Sequence, residues 1–139
     1  RWAMRTERPW PRVERSVSTG YVPPGWPERV RPPGAPDWEL TATEFLLDCC
    51  PADYRRYRLL RRHPVVLARF AAVFVEAQER ASREGLAGVR MSLADLVAPE
   101  VIAGAVEVWS QQQAFLARLR REVTMVEEAL RGRRFVPTM

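Results

Sequence analysis

The chain reads as an all-α protein: a three- to four-helix bundle built on a long antiparallel helical hairpin, with an extended Pro/Trp-rich N-terminal arm. Three observations lead there. Apolar residues recur at alternating spacings of 3 and 4 over two long stretches, as one face of a helix requires. Proline falls at the start of each of those stretches rather than within them. Nothing alternates with period two over a strand's length, and no internal repeat is visible. Eight of the 12 prolines and four of the five tryptophans lie in the first 38 residues.

Residues 1–38 form the arm. Arg-Pro-Trp-Pro (8–11), Val-Pro-Pro-Gly-Trp-Pro (22–27) and Arg-Pro-Pro-Gly-Ala-Pro (31–36) punctuate it. Proline removes backbone donors and blocks helix, so polyproline II and turns are the local states. Fully extended, such an arm reaches on the order of 100 Å. It is nevertheless too aromatic for an ordinary linker. Trp2, Trp10, Tyr21, Trp26 and Trp38 call for burial against the chain's own bundle, a second copy or another protein.

Residues 39–132 form the bundle. Thr-Ala-Thr-Glu (41–44) reads as a capping box, with Leu40 and Phe45 as the hydrophobic staple around it. A short helix is therefore expected from Thr41, carrying Phe45, Leu46, Cys49 and Cys50 inward. Pro51 ends it or restarts it as a second helix through Asp53, Tyr54, Tyr57 and Leu60. Pro64 opens a long helix with Leu67, Phe70, Phe74, Ala77 and Ala81 on one face. Gly85 and Gly88 are its expected stop. Residues 86–98 read as a connection, with one helical turn after Ser92. Pro99 opens the longest element, whose seam is Ile102, Ala105, Trp109, Gln112, Leu116, Leu119, Val123, Val126 and Leu130. That helix runs to about Arg131, about 50 Å, and Gly132 stops it. Residues 133–139 are a short tail. Two heptad helices joined by a short connection argue for an antiparallel hairpin with an intramolecular seam. Trp109 looks too large for that seam and better suited to the arm or a third helix.

Composition limits function. The 139 residues carry 22 basic against 17 acidic groups, a net charge of +5, and every basic residue is arginine. Lysine and asparagine are absent and isoleucine occurs once. Their joint depletion points to the codon bias of a GC-rich bacterial genome rather than to selection for phosphate contacts. No apolar run spans a membrane, and the opening residues lack a secretory-signal pattern, so a cytoplasmic location is expected.

Adjacent Cys49 and Cys50 diverge by about 100° on a helix and lack redox or zinc spacing, so they read as small core hydrophobes. His63, before Pro64, reads as a turn residue rather than a general base, because no nucleophile or carboxylate pair accompanies it. Arg55, Arg56, Arg58, Arg61 and Arg62 form the densest basic cluster. With Tyr54 and Tyr57 interleaved they are the candidate nucleic-acid contact. Each chain segment is nearly charge-balanced, however, which favours a solvated face whose arginines pair with Glu39, Glu44, Asp48 and Asp53.

Phosphate-loop, nucleophile-elbow, metalloprotease and helix-turn-helix signatures are missing. No catalytic residue, cofactor, metal or small-molecule substrate is therefore expected. The expected function is that of a non-enzymatic helical interaction protein whose aromatic arm and hairpin bind a protein partner or a second copy. The alternative is a nucleic-acid-associated protein using the arginine cluster and the arm. An enzyme built on His63, a cysteine and Asp53 comes a distant third.

Overall fold

The computed structural model describes residues 21–137. Its elements are α1 (Trp38–Asp48), a 3-10 turn (Ala52–Arg56), α2 (Arg58–Arg62), α3 (Pro64–Leu93) and α4 (Pro99–Leu130). Among the described residues there is no strand. The two long helices pack side by side, and α1 lies on the base of the pair, where the largest apolar cluster forms.

Helix α3 starts where proline is best tolerated, with Pro64 in its first turn and its missing N–H among the orphan donors anyway. The His63 carbonyl accepts from Val66 and Leu67 at 2.9 and 3.1 Å. The helix does not stop at Gly85. It runs through both glycines to Leu93, nine residues past the expected end. The reason lies across the pair: the Trp109 ring rests directly on Gly85, where an added Cβ would stand 2.0 Å from a ring carbon. Trp109 thus fits the seam that looked too narrow for it, because its opposite number has no side chain. Ser92 starts no new turn; its hydroxyl donates to the Val89 carbonyl at 3.2 Å inside α3.

Three contacts set the antiparallel register: Trp109 on Gly85, Arg120 to Glu79 at 2.8 Å, and Arg69 to Glu127 at 3.2 Å. The helices are 30 and 32 residues long and are joined by five residues, 94–98, so the pair ends flush. A stop of α3 at Gly85 makes the second helix the longer by about a dozen residues and projects its C-terminal third past Pro64; with α3 running to Leu93, no such overhang exists. Seam residues Ala68, Val75, Ser82 and Val89 of α3 are buried at sevenfold spacing, as are Ile102, Leu116 and Val123 of α4. The expected α3 face of Leu67, Phe70, Phe74, Ala77 and Ala81 is therefore rotated off the seam: only Leu67 is buried and Phe70 is 46% exposed. The Ser82 hydroxyl is buried without a partner. Ser82→Ala is expected to raise stability by about 1 kcal/mol in a denaturant titration.

Gly132 ends α4 as its position suggested. At φ +102° it occupies the left-handed region. Its N–H donates to Ala129 and that of Arg133 to Glu128, the paired closure that leaves few orphan carbonyls.

The start of α1 differs from the sequence expectation. The helix begins at Trp38, one turn early. The Thr41 hydroxyl accepts from the Arg31 N–H and donates to the Trp38 carbonyl. Glu44 turns to Arg55 and Arg61 instead of reaching back, and Leu40 is 64% exposed, so neither box nor staple forms. What pre-empts them is the chain before Trp38. Pro-Pro-Gly-Trp (23–26) and Pro-Pro-Gly-Ala (32–35) close as the same turn, with glycine φ of 83° and 93°. Positive φ at the third position after proline is what a type II turn requires. These turns lay residues 21–37 against α1 and the end of α4, where Arg31 reaches the Thr41 hydroxyl.

The Gly85–Trp109 contact makes a sharp stability test. Gly85→Ala normally gains about 1 kcal/mol of helix propensity. Here it is expected to destabilise, because the ring must swing off its seat. In a Trp109→Ala background the same change is expected to stabilise by that amount. A double-mutant cycle read from thermal melts therefore gives a coupling of about 2 kcal/mol.

Candidate interaction site

The arginine cluster is a set of ion pairs rather than a bare basic patch. Arg55 bridges Glu44 and Asp48, Arg61 donates to the other Glu44 oxygen at 2.9 Å, and Arg29 also reaches Asp48. Arg56 stacks on the Tyr57 ring at 5.1 Å. Two of the four carboxylates expected to pair with the cluster, Glu44 and Asp48, do so. Arg55 of the 3-10 turn and Arg61 of α2, on either side of Tyr57, both turn towards α1 and share Glu44. The Arg61 hydrogen bond, aided by Arg55 and opposed by slight desolvation, holds the Glu44 carboxyl below its usual range.

A lowered folded pKa contributes stability above the unfolded value, about 4.3, and loses it as pH falls through the folded value. Glu44→Gln is therefore expected to lose about 0.5–1 kcal/mol at neutral pH, a size set by solvent screening. Urea titrations at falling pH should bring variant and parent together.

The described aromatics of the arm face inward. Trp26 is buried and its Nε1–H donates to the Val30 carbonyl at 2.9 Å. Its ring lies 6.4 Å from that of Trp38 and 5.9 Å, edge-on, from Phe135. Tyr21 is half-buried beside Phe135 at the end of α4. Trp2 and Trp10 lie outside the described residues. Cys49 is buried and donates its thiol to the Phe45 carbonyl, while Cys50 is half-buried. Burial, helped by the neighbouring Cys50, pushes Cys49 up to about 12; burial alone takes Cys50 to about 11. Both are protonated at neutral pH and poor nucleophiles. The His63 ring is exposed at the α2–α3 junction.

The feature that motif reading missed is on the hairpin. Residues seven apart share a helix face. On α4 the column Ala129, Glu122, Phe115, Val108, Val101 passes from buried through half-buried to exposed, its last three members being 43%, 67% and 53% exposed. On α3 the column Leu67, Phe74, Ala81, Gly88 loses cover in the same direction, as does Ala71, Gln78, Gly85, Ser92. The face that α1 and residues 21–37 cover at the base thus continues uncovered along the distal half. With Ala105, Gln112 and Leu119, these columns contain no charged residue from Phe74 to Ser92 or from Val101 to Leu119. The distal charges Arg80, Arg83, Glu84, Arg90, Glu100 and Glu107 fall in other columns. Where the cover ends, Pro27, Arg29, Phe45, Phe115, Leu119 and Glu122 line a groove of about 310 Å³. Burial there raises the Glu122 carboxyl above its usual range despite Arg118 and Arg29.

The seam is legible in the sequence because its spacing is complete. The second column consists of only three large apolar residues, and its exposure depends on where α1 ends.

Comparison with known proteins finds no matching family model, no similar curated protein and no similar solved structure. No helix among the described residues is long and apolar enough to cross a membrane.

Proposed function

We propose that the chain is a non-enzymatic helical interaction protein. Its packed base holds a projecting hairpin, and the distal, charge-free face of that hairpin is the contact surface. The observation that carries this reading is the Val101–Val108–Phe115 column, exposed on a rigid helix and continuous with a face that is covered elsewhere. A rigid hairpin loses little conformational entropy on docking, and large apolar groups without neighbouring charges suit a helical partner. In this reading the described aromatics of the arm act mainly in cis, as the clamp that stiffens the base.

The test is a photo-crosslinking amino acid, p-benzoyl-phenylalanine, at position 108, with position 107 on the charged flank as control. A discrete adduct from 108 and none from 107, in extracts of the producing cells or with the purified chain, is the expected result. No adduct from 108 in either setting overturns the reading. The nucleic-acid alternative comes second because it requires Arg55 and Arg61 to leave Glu44 and Asp48. Steeply salt-dependent binding to DNA or RNA, lost in Arg58→Ala/Arg62→Ala, would put it first.

A further inference from the structure

We infer that the distal face is covered by a second copy of this chain, laid antiparallel across it to make a symmetric four-helix bundle; the inference rests on the interaction reading above. The argument begins with symmetry. A two-fold interface pairs each residue with its mirror position about the axis. On α4, Val101 and Phe115 are equidistant from Val108. On α3, Gln78 and Ser92 are equidistant from Gly85. The two centres share one level, because Trp109, next to Val108, sits on Gly85. One axis lying in the interface, at right angles to the helix axes, therefore serves both helices. Val108 meets Val108 of the second copy, Val101 meets its Phe115, and α3 lies on α3 through Ala81 and Gly88, with the chain's own Trp109 ring filling the place at Gly85.

The glycines of the two helices matter for distance. Gly88 of α3 and Gly104 of α4 have nothing within 4 Å of the place a Cβ would occupy, so close approach of two backbones is open there. A parallel arrangement would bring the two bases together on the face that α1 already occupies. The antiparallel one sends each tip towards the other copy's base.

Charge falls on the flank of this placement, where Glu107 lies beside its own mate near the axis and two opposite-charge pairs lie further out. No charged residue lies on the uncovered face, so no like pair is buried. On its flank, Glu100 is eight residues before Val108 and Arg118 ten after it. The axis therefore brings Glu100 of one copy within one helical turn of Arg118 of the other, on both sides. Arg118 is already poised there, over the Phe115 ring at 5.7 Å.

The tip is accommodated as well. Leu96 and Val97 of the five-residue connection are exposed apolar residues with no partner inside the chain's core. The same axis places them level with Leu119 of the second copy, at the groove lined by Phe45, Phe115 and Leu119. The groove at the edge of α1 thus receives the other copy's tip, and its length limits how far the two hairpins overlap.

The experiment is the mass of the full chain by light scattering, combined with engineered disulfides. The expected particle is twice the 16.0 kDa chain mass. Under mild oxidation Val108→Cys should crosslink to itself, since only the residue on the axis meets its own copy. Val101→Cys alone should not crosslink, but should do so when mixed with Phe115→Cys. Val108→Glu should give a chain-mass particle with unchanged helical circular dichroism. Should that variant misfold, the cysteine pattern still decides.

A parent chain of single mass at its highest soluble concentration overturns the inference. So does a Val101→Cys chain that self-links as readily as Val108→Cys. A single-mass chain whose position 108 still crosslinks a different protein removes the second copy and leaves the interaction reading standing. A single-mass chain with no adduct at 108 removes both.

Discussion

Trp26→Ala is expected to cost about 3–4 kcal/mol, within the range for deleting a buried aromatic. For a chain of this size that lowers the melting temperature by about 10–15 °C. The ring joins three segments. It sits after the first Pro-Pro-Gly turn, touches Trp38 at the start of α1, and packs edge-on against Phe135 beyond α4. Its indole N–H is satisfied by Val30. Removing it opens a cavity, leaves that carbonyl short of a donor and releases the clamp on both chain ends. Phenylalanine at this position should recover most of the packing but not the hydrogen bond, leaving a deficit of about 1 kcal/mol. Differential scanning calorimetry of the three proteins checks both steps. A loss below 1 kcal/mol for the alanine variant would mean that residues 21–37 are not part of the folded base.

Leu46→Ala is the second large effect, about 3 kcal/mol. Leu46 is fully buried in α1 among core residues that include Leu67, Val75 and Val126. Leu40→Ala, six residues earlier in the same helix, is expected to stay within about 0.5 kcal/mol. The contrast separates two accounts of how α1 is held. A hydrophobic staple would make Leu40 costly and Leu46 unexceptional. Docking of one helix face onto the hairpin makes the opposite assignment, and urea midpoints at constant slope will read it directly.

The elements legible from residue order are those governed by local stereochemistry. Pro64 and Pro99 opened helices because a residue without an N–H is tolerated in the first turn. Gly132 closed α4 because it adopts a positive φ at low cost. The two Pro-Pro-Gly turns follow the same logic. The periodicity of Leu116, Val123 and Val126 identified the seam correctly, since a packed antiparallel pair buries one stripe per helix.

The errors have one physical origin. Gly85 was read as a stop and Trp109 as a misfit, each sensible alone; their mutual contact reverses both. Thr41 and Glu44 have the chemistry of a capping box, but Arg31, Arg55 and Arg61 offered those same oxygens other partners.

By itself, then, the order of residues determined that this chain is helical, where its two long helices begin, where the second ends, and which stripe α4 buries. Those properties depend on torsion angles and on side chains a few positions apart. Only the tertiary structure decided how far α3 runs, what each polar oxygen binds, and which half of the hairpin is left uncovered. Those are matters of which group arrives first at a shared site or surface, and competition between segments distant along the chain is settled in space.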